Sequence, residues 1–290
     1  MMRSFLFAPG SHPRRVEKAL ALAADAVILD LEDAVALAEK EATRAPVVTA
    51  LQAPRPAAGY VRINALSTPY ALRDLLAVVR GGVDGIVLPK VESAQDVVTA
   101  AWLITQVERE QSLPQGSVDL MPLIETARGI EQVSAIASAS ARVQRLAFGA
   151  GDFTLDLGVT WTRDEVELMP ARLRLVEASR AANLEPPIDT VWIELADEAG
   201  FAASVARCKA LGFQGKLCIH PAQVPVTNAA FTPDAEEVAH ARRIIDAFKA
   251  AEREGLASIQ IDGRFYDYPI VERCERTVAL AERLVRSSGS

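Results

Sequence analysis

The sequence predicts an α/β fold, a (β/α)8 TIM barrel with a C-terminal helical extension, on three observations. Eight short apolar runs alternate with longer amphipathic segments over roughly the first 220 residues. Several runs are apolar on successive rather than alternate residues, as a parallel strand buried on both faces requires. The length of 290 residues is natural for one barrel and long for an average domain. An open doubly wound sheet is the rival reading of the same alternation, and the strand count favours closure.

The elements follow in order. An apolar run at 4–7 ends at the turn Pro9-Gly10-Ser11 and leads into a helix over 14–24. Runs at 26–31, 60–63, 85–88 and 120–124 are followed by helices over 36–51, 68–79, 93–110 and 127–138. Runs at 146–148 and 190–193 precede helices over 170–182 and 197–211, and the eighth run is 216–219. Thr68, Ser93 and Asp197 stand where caps belong, and Gly212 stands where a helix stops. Beyond the barrel, 234–254 and 269–286 read as helices around a turn-rich piece at 259–269, and the tail from Ser287 to Ser290 reads as frayed. No low-complexity linker interrupts the chain, so 1–290 reads as a single domain with about 222–290 as the extension.

Composition narrows the function. The net charge of −7 has the wrong sign for a general nucleic-acid or anionic-membrane binder. No run of about 18 uncharged apolar residues is present to span a membrane, and the N-terminal apolar run is too short for a secretory signal. Three cysteines, Cys208, Cys218 and Cys274, none in a CxxC pair, read as packing residues in a reducing, cytoplasmic setting.

A barrel places its chemistry at the C-terminal ends of its strands, so the polar residues after each apolar run are the candidates. Asp30, Glu32 and Asp33 follow the second run. Arg62 lies in the third, and Asn64 follows it. Lys90 follows the fourth, Glu125 the fifth, Gly149-Ala150-Gly151-Asp152 the sixth and His220-Pro221 the eighth. Glu125 and Asp152, on successive strand ends, could hold one hard cation such as Mg²⁺, which takes few protein ligands and keeps waters. The alternative for each is to cap the helix that follows. Ala150 and Gly151 could bring backbone N–H groups to the carboxylate of a 2-oxo acid, or simply form a turn.

Arg62 is costly to bury without an anion, and its planar fork suits a carboxylate or an enolate oxygen. A structural pair with Glu32 or Asp33 is the alternative. Glu32 and Asp33 could orient waters around the ion, or supply acidic charge ahead of a helix starting at Ala34. Lys90 could be a Schiff-base lysine, but Pro89 and the nearby acids favour an electrostatic role, and with Asn64 it completes the substrate-binding set. His220 could be a general base or could bond locally beside Pro221. Arg14, Arg15 and Lys18 open the first helix as a basic cluster able to grip phosphates, or as a solvated face.

Seven stretches together carry a resemblance. They are Phe5-Leu6-Phe7-Ala8-Pro9-Gly10-Ser11, Ile28-Leu29-Asp30-Leu31-Glu32-Asp33-Ala34-Val35, Val61-Arg62-Ile63-Asn64, Leu88-Pro89-Lys90-Val91-Glu92, Leu123-Ile124-Glu125-Thr126-Ala127, Phe148-Gly149-Ala150-Gly151-Asp152-Phe153 and Cys218-Ile219-His220-Pro221. In order and spacing, from about residue 3 to about 285, the chain resembles the citrate lyase β-subunit-like branch of the HpcH/HpaI aldolase family. The resemblance implies a barrel, a homotrimer or hexamer, with Mg²⁺ on Glu125 and Asp152 and with Arg62 polarising a thioester or oxo-acid oxygen. It implies a lyase that cleaves or forms citramalyl, malyl or citryl thioesters from acetyl-CoA, or another acyl thioester, and a 2-oxo acid, with Arg14 and Lys18 near the CoA phosphates. The aldolase branch carries a histidine base after the second strand. Here Glu32-Asp33-Ala34 stands in that place and favours the lyase branch.

The resemblance further implies that Asp267, within Gly263-Arg264-Phe265-Tyr266-Asp267, reaches a neighbouring subunit's site and handles the proton on the acetyl carbon. Phe265-Tyr266 departs from the family's usual pair there, and capping of the helix at Pro269 is the alternative for Asp267. A citrate lyase β subunit acting on a carrier-protein thioester, a class II pyruvate aldolase and a non-catalytic barrel are the other readings.

Overall fold

The protein is described here from a computed structural model, which gives residues 1–288 and side chains as far as residue 284. Eight parallel strands close into a barrel in chain order: β1 (Ser4–Pro9), β2 (Ala26–Asp30), β3 (Ala58–Arg62), β4 (Gly85–Leu88), β5 (Asp119–Ile124), β6 (Ala147–Phe148), β7 (Ile188–Asp189) and β8 (Gly215–Cys218). β8 pairs with β1, with Phe5 opposite Leu217 and Leu6 opposite Cys218, so no edge strand is left open. The helices between strands are α1 (Pro13–Leu20), α2 (Lys40–Gln52), α3 (Ala71–Val78), α4 (Ala94–Glu110), α5 (Ala127–Glu131), α6 (Val133–Ala137), α7 (Ala150–Leu157), α8 (Met169–Ala181) and α9 (Glu198–Leu211). α10 (Gln223–Ala230) follows the last barrel strand.

The interior is one cluster fed by every strand, including Phe5, Ile28, Tyr60, Val87, Met121, Leu123, Ala147, Ile188 and Leu217. Phe5 and Tyr60 meet edge to face at 5.5 Å. The Tyr60 ring lies so close over Gly85 that a Cβ there would collide with it, which is why the neighbouring strand offers no side chain at that point. The barrel is therefore a packed core, and only its rim can host chemistry.

Local signals place many of the elements. Ser93 caps α4 with a capping box, accepting from Asp96 N at 3.2 Å while its own N–H donates to Asp96. Asp197 caps α9, and Gly212 ends it in the left-handed conformation. Other expectations need correction. Thr68 caps nothing: its hydroxyl donates to Ala65 O, and α3 starts later, at Ala71. The expected helix at 127–138 is broken at Gln132 into α5 and α6. The seventh strand is Ile188–Asp189, ahead of the apolar run at 190–193, which forms a rim loop. Its Asp189 is fully buried and paired with Arg172 on α8 and Lys216 on β8. Those partners come from distant sequence, so the strand shows no apolar signature there.

The chain divides into two compact units, one running from Met2 to Asn228 and the other from Ala229 onward with Met1. The C-terminal unit packs α11 (Ala235–Arg253) against α12 (Tyr268–Ser288) around Ile244, Phe248, Tyr266 and Val271. The piece expected to be merely turn-rich is a hairpin, β9 (Ser258–Ile261) and β10 (Arg264–Asp267). Asp262 and Gly263 both take positive φ at its tip, as a two-residue primed turn requires. Alternation around an Asp-Gly pair was the signal available in the sequence. Helix α12 takes in Ser287 and Ser288, against a frayed tail there, and the end of that tail, Gly289 and Ser290, lies outside the described residues.

Candidate active site

The C-terminal ends of β2 to β6 bring one set of charged side chains together. Arg62, at the end of β3, donates through Nε and Nη2 to the two oxygens of Asp30 at 2.7 and 2.6 Å. Its Nη1 stands 3.2 Å from Glu32 and 3.7 Å from Asp33, and its guanidinium lies 4.9 Å from the centre of the Phe7 ring. The structural pairing expected for Arg62 is thus made chiefly by Asp30, at the end of the neighbouring strand in register with it. Burial would raise the Asp30 pKa, but the charge and hydrogen bond of Arg62, together with the N–H groups of Glu32 and Ala34, hold the carboxyl below its ordinary value. Asp30 also accepts the N–H groups of Glu32 and Ala34, which sets the turn leaving β2. Helix α2 begins only at Lys40, so Asp33, half exposed, is not in its first turn as the dipole reading required.

Lys90 follows β4 and bridges the cluster twice. Its backbone N–H donates to Glu125 at 2.7 Å, and its ammonium donates to Glu32 at 2.9 Å, with Asp33 at 3.7 Å and Asp152 at 3.9 Å. Burial alone would lower the Lys90 pKa. The Glu32 hydrogen bond and the nearby carboxylates overcome this and raise it above the usual lysine value, which is the wrong direction for a Schiff-base nucleophile.

Glu125 is 2% exposed, at the end of β5. The helix after it is capped by Thr126, whose Oγ1 accepts from Gly129 N, so capping is not the role of Glu125. Its carboxylate lies over Gly149, where any Cβ would strike it. Burial pushes its pKa up to about 8. Arg62 pulls the other way, while Glu32 and Asp152 add to the rise. Asp152 is not a cap either: it is the third residue of α7, whose N-cap is Gly149. The glycine-rich stretch expected as a loop is thus a helix start.

That geometry corrects the reading of Ala150. Its N–H donates to Thr190 Oγ1 at 2.9 Å, and the N–H of Gly149 to Ile124 O at 3.0 Å, so neither is open to an anion. The N–H groups of Gly151 and Asp152 lie in the first turn of α7, where no helical carbonyl precedes them. Asn64 is also corrected. It is 2% exposed, its amide donates to Leu31 O and Asp74, and its Oδ1 accepts from Lys40. It has turned behind the rim and offers nothing to a substrate. Lys40 and Thr190 were missed by sequence reasoning, because nothing local marks either of them.

The donor set can be tested against a divalent cation. Asp30, Glu32, Asp33, Glu125 and Asp152 set five carboxylates against the two cations Arg62 and Lys90. Glu32 Oε2 is buried and, despite its ion pair with Arg62, has no aligned hydrogen-bond donor. All-oxygen donors in acidic excess suit a hard ion. Among the described residues no three His, Cys, Asp or Glu stand together to hold an ion alone, so an ion here would need waters or substrate to complete its shell.

Beside the cluster a cleft of about 540 Å³ runs from Asp30 past Phe7 to Arg15 and Lys18 on α1, with Leu195 and His220 on its wall. Arg14, expected with Lys18, is not among its lining residues. His220 is exposed, and its Nδ1 accepts from Ala222 N, the local bond expected of it. Burial raises the Cys208 and Cys218 thiols to about 12 and about 11, as packing cysteines would be. Asp267 belongs to the C-terminal unit, where its Oδ1 accepts from Ile270 N at 3.4 Å.

Comparison with known proteins adds to this geometry. The model of the HpcH/HpaI aldolase/citrate lyase family matches residues 3–221. The chain belongs to this family. It is 39% identical over 282 residues to the citrate lyase subunit beta of Escherichia coli strain K12, covering 97% of this chain and 93% of that one. It is 34% identical over 304 residues to an L-malyl-CoA/beta-methylmalyl-CoA lyase of Cereibacter sphaeroides (strain ATCC 17025 / ATH 2.4.3), covering 97% and 95%. Among solved structures, protein CitE from Mycobacterium tuberculosis in complex with magnesium, acetoacetate and coenzyme A aligns with a TM-score of 0.79 at 32% identity, covering 97% of this chain and 98% of that one. The barrel, the acidic rim and the neighbouring cleft all lie in the one unit Met2–Asn228. No helix among the described residues is long and apolar enough to cross a membrane.

Proposed function

We propose that this chain is a Mg²⁺-dependent carbon–carbon lyase that cleaves or forms a 2-hydroxyacyl thioester, of the malyl, citramalyl or citryl kind, with an acetyl thioester and a 2-oxo acid as the other pair. The observation that carries this is Glu125: a buried carboxylate, held by the Lys90 N–H, in a rim with more carboxylates than cations. Glu125 and Asp152 would hold Mg²⁺, which when bound supplies Lewis-acid polarisation of the hydroxyl or keto oxygen of the acid. The relatives point the same way, since the names of those described above are citrate lyase and malyl-CoA lyase.

The chain's own residues then divide the remaining work. The Gly151 and Asp152 N–H groups at the start of α7 face the carboxylate of the acid. The acid's hydroxyl gives up its proton to solvent water as the bond to the acetyl carbon breaks, its oxygen becoming the keto oxygen of the 2-oxo acid, and the electron pair of that bond becomes the thioester enolate. Arg62 steadies the enolate oxygen, its fork locked in place by Asp30. Lys90 offsets the charge of Glu32 and keeps Glu125 oriented. Asp267, from a neighbouring copy in a homotrimer or hexamer, delivers a proton to the enolate carbon. Arg15 and Lys18, at the far end of the cleft, meet the phosphates of the thioester carrier. A second reading has some support: a relative at 39% identity is a citrate lyase subunit, which favours a carrier protein over free CoA as the thiol.

The deciding experiment incubates the purified protein with Mg²⁺, acetyl-CoA and, in turn, glyoxylate, pyruvate and oxaloacetate. A Mg²⁺-dependent acyl-CoA product that disappears in Glu125→Gln is the expected result and names the acid. No product with any pair, with Mg²⁺ bound, would move the activity to a carrier-protein thioester.

A further inference from the structure

Behind the acidic rim lies a second polar layer that the proposed chemistry leaves unused. Lys40, in the first turn of α2, is buried, and its ammonium donates to Leu31 O at 3.1 Å, Glu32 O at 2.9 Å and Asn64 Oδ1 at 2.6 Å. An ammonium has three N–H donors, and all three are spent on the residues that leave β2 and β3. Asn64 donates in turn to Leu31 O at 3.0 Å and to Asp74 at 2.6 Å. Asp74, on α3 and fully buried, is held by Arg44 of α2 at 2.7 Å. The Tyr70 ring lies 5.9 Å from the same ammonium and helps to seal it.

Burying a lysine against neutral oxygens is costly, and among the described residues this one pairs with no anion that would explain it. What it does hold is the backbone of Leu31 and Glu32. On the opposite side, the Glu32 carboxylate meets Lys90 at 2.9 Å and Arg62 at 3.2 Å, and its Oε2 has no hydrogen-bond donor. One carboxylate oxygen is thus fixed by Lys90, while the other has only the ion pair with Arg62. Its backbone completes the placement: Asp30 accepts the Glu32 N–H, and Lys40, with Asn64, holds the carbonyl side at Leu31 and Glu32.

We propose that Lys40 is a positioning residue for the site. It fixes the Leu31–Glu32 backbone so that Glu32 stands between Arg62 and Lys90 and holds both at the rim. Lys40 works through Glu32 and never meets the substrate. The role in turnover rests on the lyase reading above; the role in ion binding does not.

The test is a double-mutant cycle in the full-length protein between Lys40→Met and Glu32→Gln, read by calorimetric Mg²⁺ affinity and by kcat and KM. The expected result is a loss of about 10- to 100-fold in Mg²⁺ affinity and in kcat for folded Lys40→Met, as when a partner of a metal-orienting group is removed. KM for the thioester should stay within about twofold. In the Glu32→Gln background, Lys40→Met should then add less than about twofold, because residues acting as one unit are not additive. A Lys40→Met protein that melts earlier but keeps wild-type Mg²⁺ affinity and kcat would overturn the proposal, as would fully additive losses. Should Lys40→Met not fold, Asn64→Ala takes its place in the cycle, since it removes one of the three acceptors and leaves the ammonium in place. Its losses are then judged by the same two criteria. A wild type that binds Mg²⁺ but makes no product with acetyl-CoA sinks the CoA-thioester reading alone, and the affinity cycle still decides the role of Lys40.

Discussion

Lys90 donates its backbone N–H to Glu125 at 2.7 Å while its ammonium reaches Glu32 at 2.9 Å, and it does so from a left-handed backbone, φ 51°. A residue with a Cβ takes that conformation at a cost of about 1–2 kcal/mol. The two carboxylates hold it there. Lys90→Gly removes the ammonium and the strain; Lys90→Ala removes only the ammonium. We expect the glycine variant to be the more stable of the two by about 1 kcal/mol in denaturant unfolding, with activity reduced in both. Equal stabilities would mean that the backbone relaxes once the ion pair with Glu32 is gone.

Glu125→Gln keeps the shape of the side chain and removes its charge. Wild-type protein at about 100 times the Mg²⁺ dissociation constant should gain about 2.7 kcal/mol of stability. The glutamine variant should gain none, and its turnover should fall by at least about 100-fold. Differential scanning calorimetry with and without Mg²⁺ makes the comparison. A normal Mg²⁺ response in Glu125→Gln would place the ion elsewhere.

The pH dependence follows from the same carboxyl. Without the ion, burial lifts Glu125 from 4.5 to about 8, with Glu32 and Asp152 adding to the effect against the pull of Arg62. An acid whose folded pKa is raised stabilises the fold while protonated. That contribution is complete below 4.5 and is lost as pH climbs through about 8. Mg²⁺ needs the ionised carboxylate, so the melting-temperature gain from the ion should grow between about pH 6 and pH 9 while the ion-free protein weakens. A gain that stays flat across this window would count against Glu125 as the ligand.

Asp267→Asn should lower kcat by about 100- to 10,000-fold, the range of a lost general acid, and leave Mg²⁺ affinity unchanged. Co-assembly with Glu125→Gln subunits tests the origin of the carboxylate. If Asp267 serves a neighbouring copy, two inactive variants regain activity together. If it serves its own chain, the mixture stays inactive.

On the outer side of the barrel, Arg172 is fully buried between Glu165 at 2.9 Å and Asp189 at 2.8 Å, and Lys216 joins Asp189 at 2.5 Å. Arg172→Leu removes the cation shared by two buried carboxylates, leaving Asp189 with Lys216 and Glu165 with Arg207 and Ser204, and should cost about 3 kcal/mol of stability. The kcat of the protein that remains folded should not change, because none of these groups faces the rim. An altered kcat at unchanged stability would reverse that assignment.

Much of this protein was legible from residue order alone. Apolar runs mark where strands lie, and the polar residue after each run marks the rim, so Arg62, Lys90, Glu125 and Asp152 could be named before any fold was drawn. Closure of the barrel then had to bring them together, since successive strand ends share one mouth. Caps such as Ser93 and Asp197 were equally legible, because a cap acts within one turn.

The rest depended on partners far away in the chain. β7 lay hidden because Asp189 is made tolerable in a strand by Arg172 and Lys216. Asn64 pointed to substrate until Lys40, 24 residues earlier, claimed its oxygen. Glu125 could have been a cap until Thr126 took that place and Lys90, 35 residues earlier, offered its N–H. The sequence by itself determined which side chains arrive at the rim, because strand period and strand ends are local properties. Only the tertiary structure decided which way each one turns and what it holds, because a buried polar group takes its orientation from whichever donor or acceptor the fold places within about 3 Å of it.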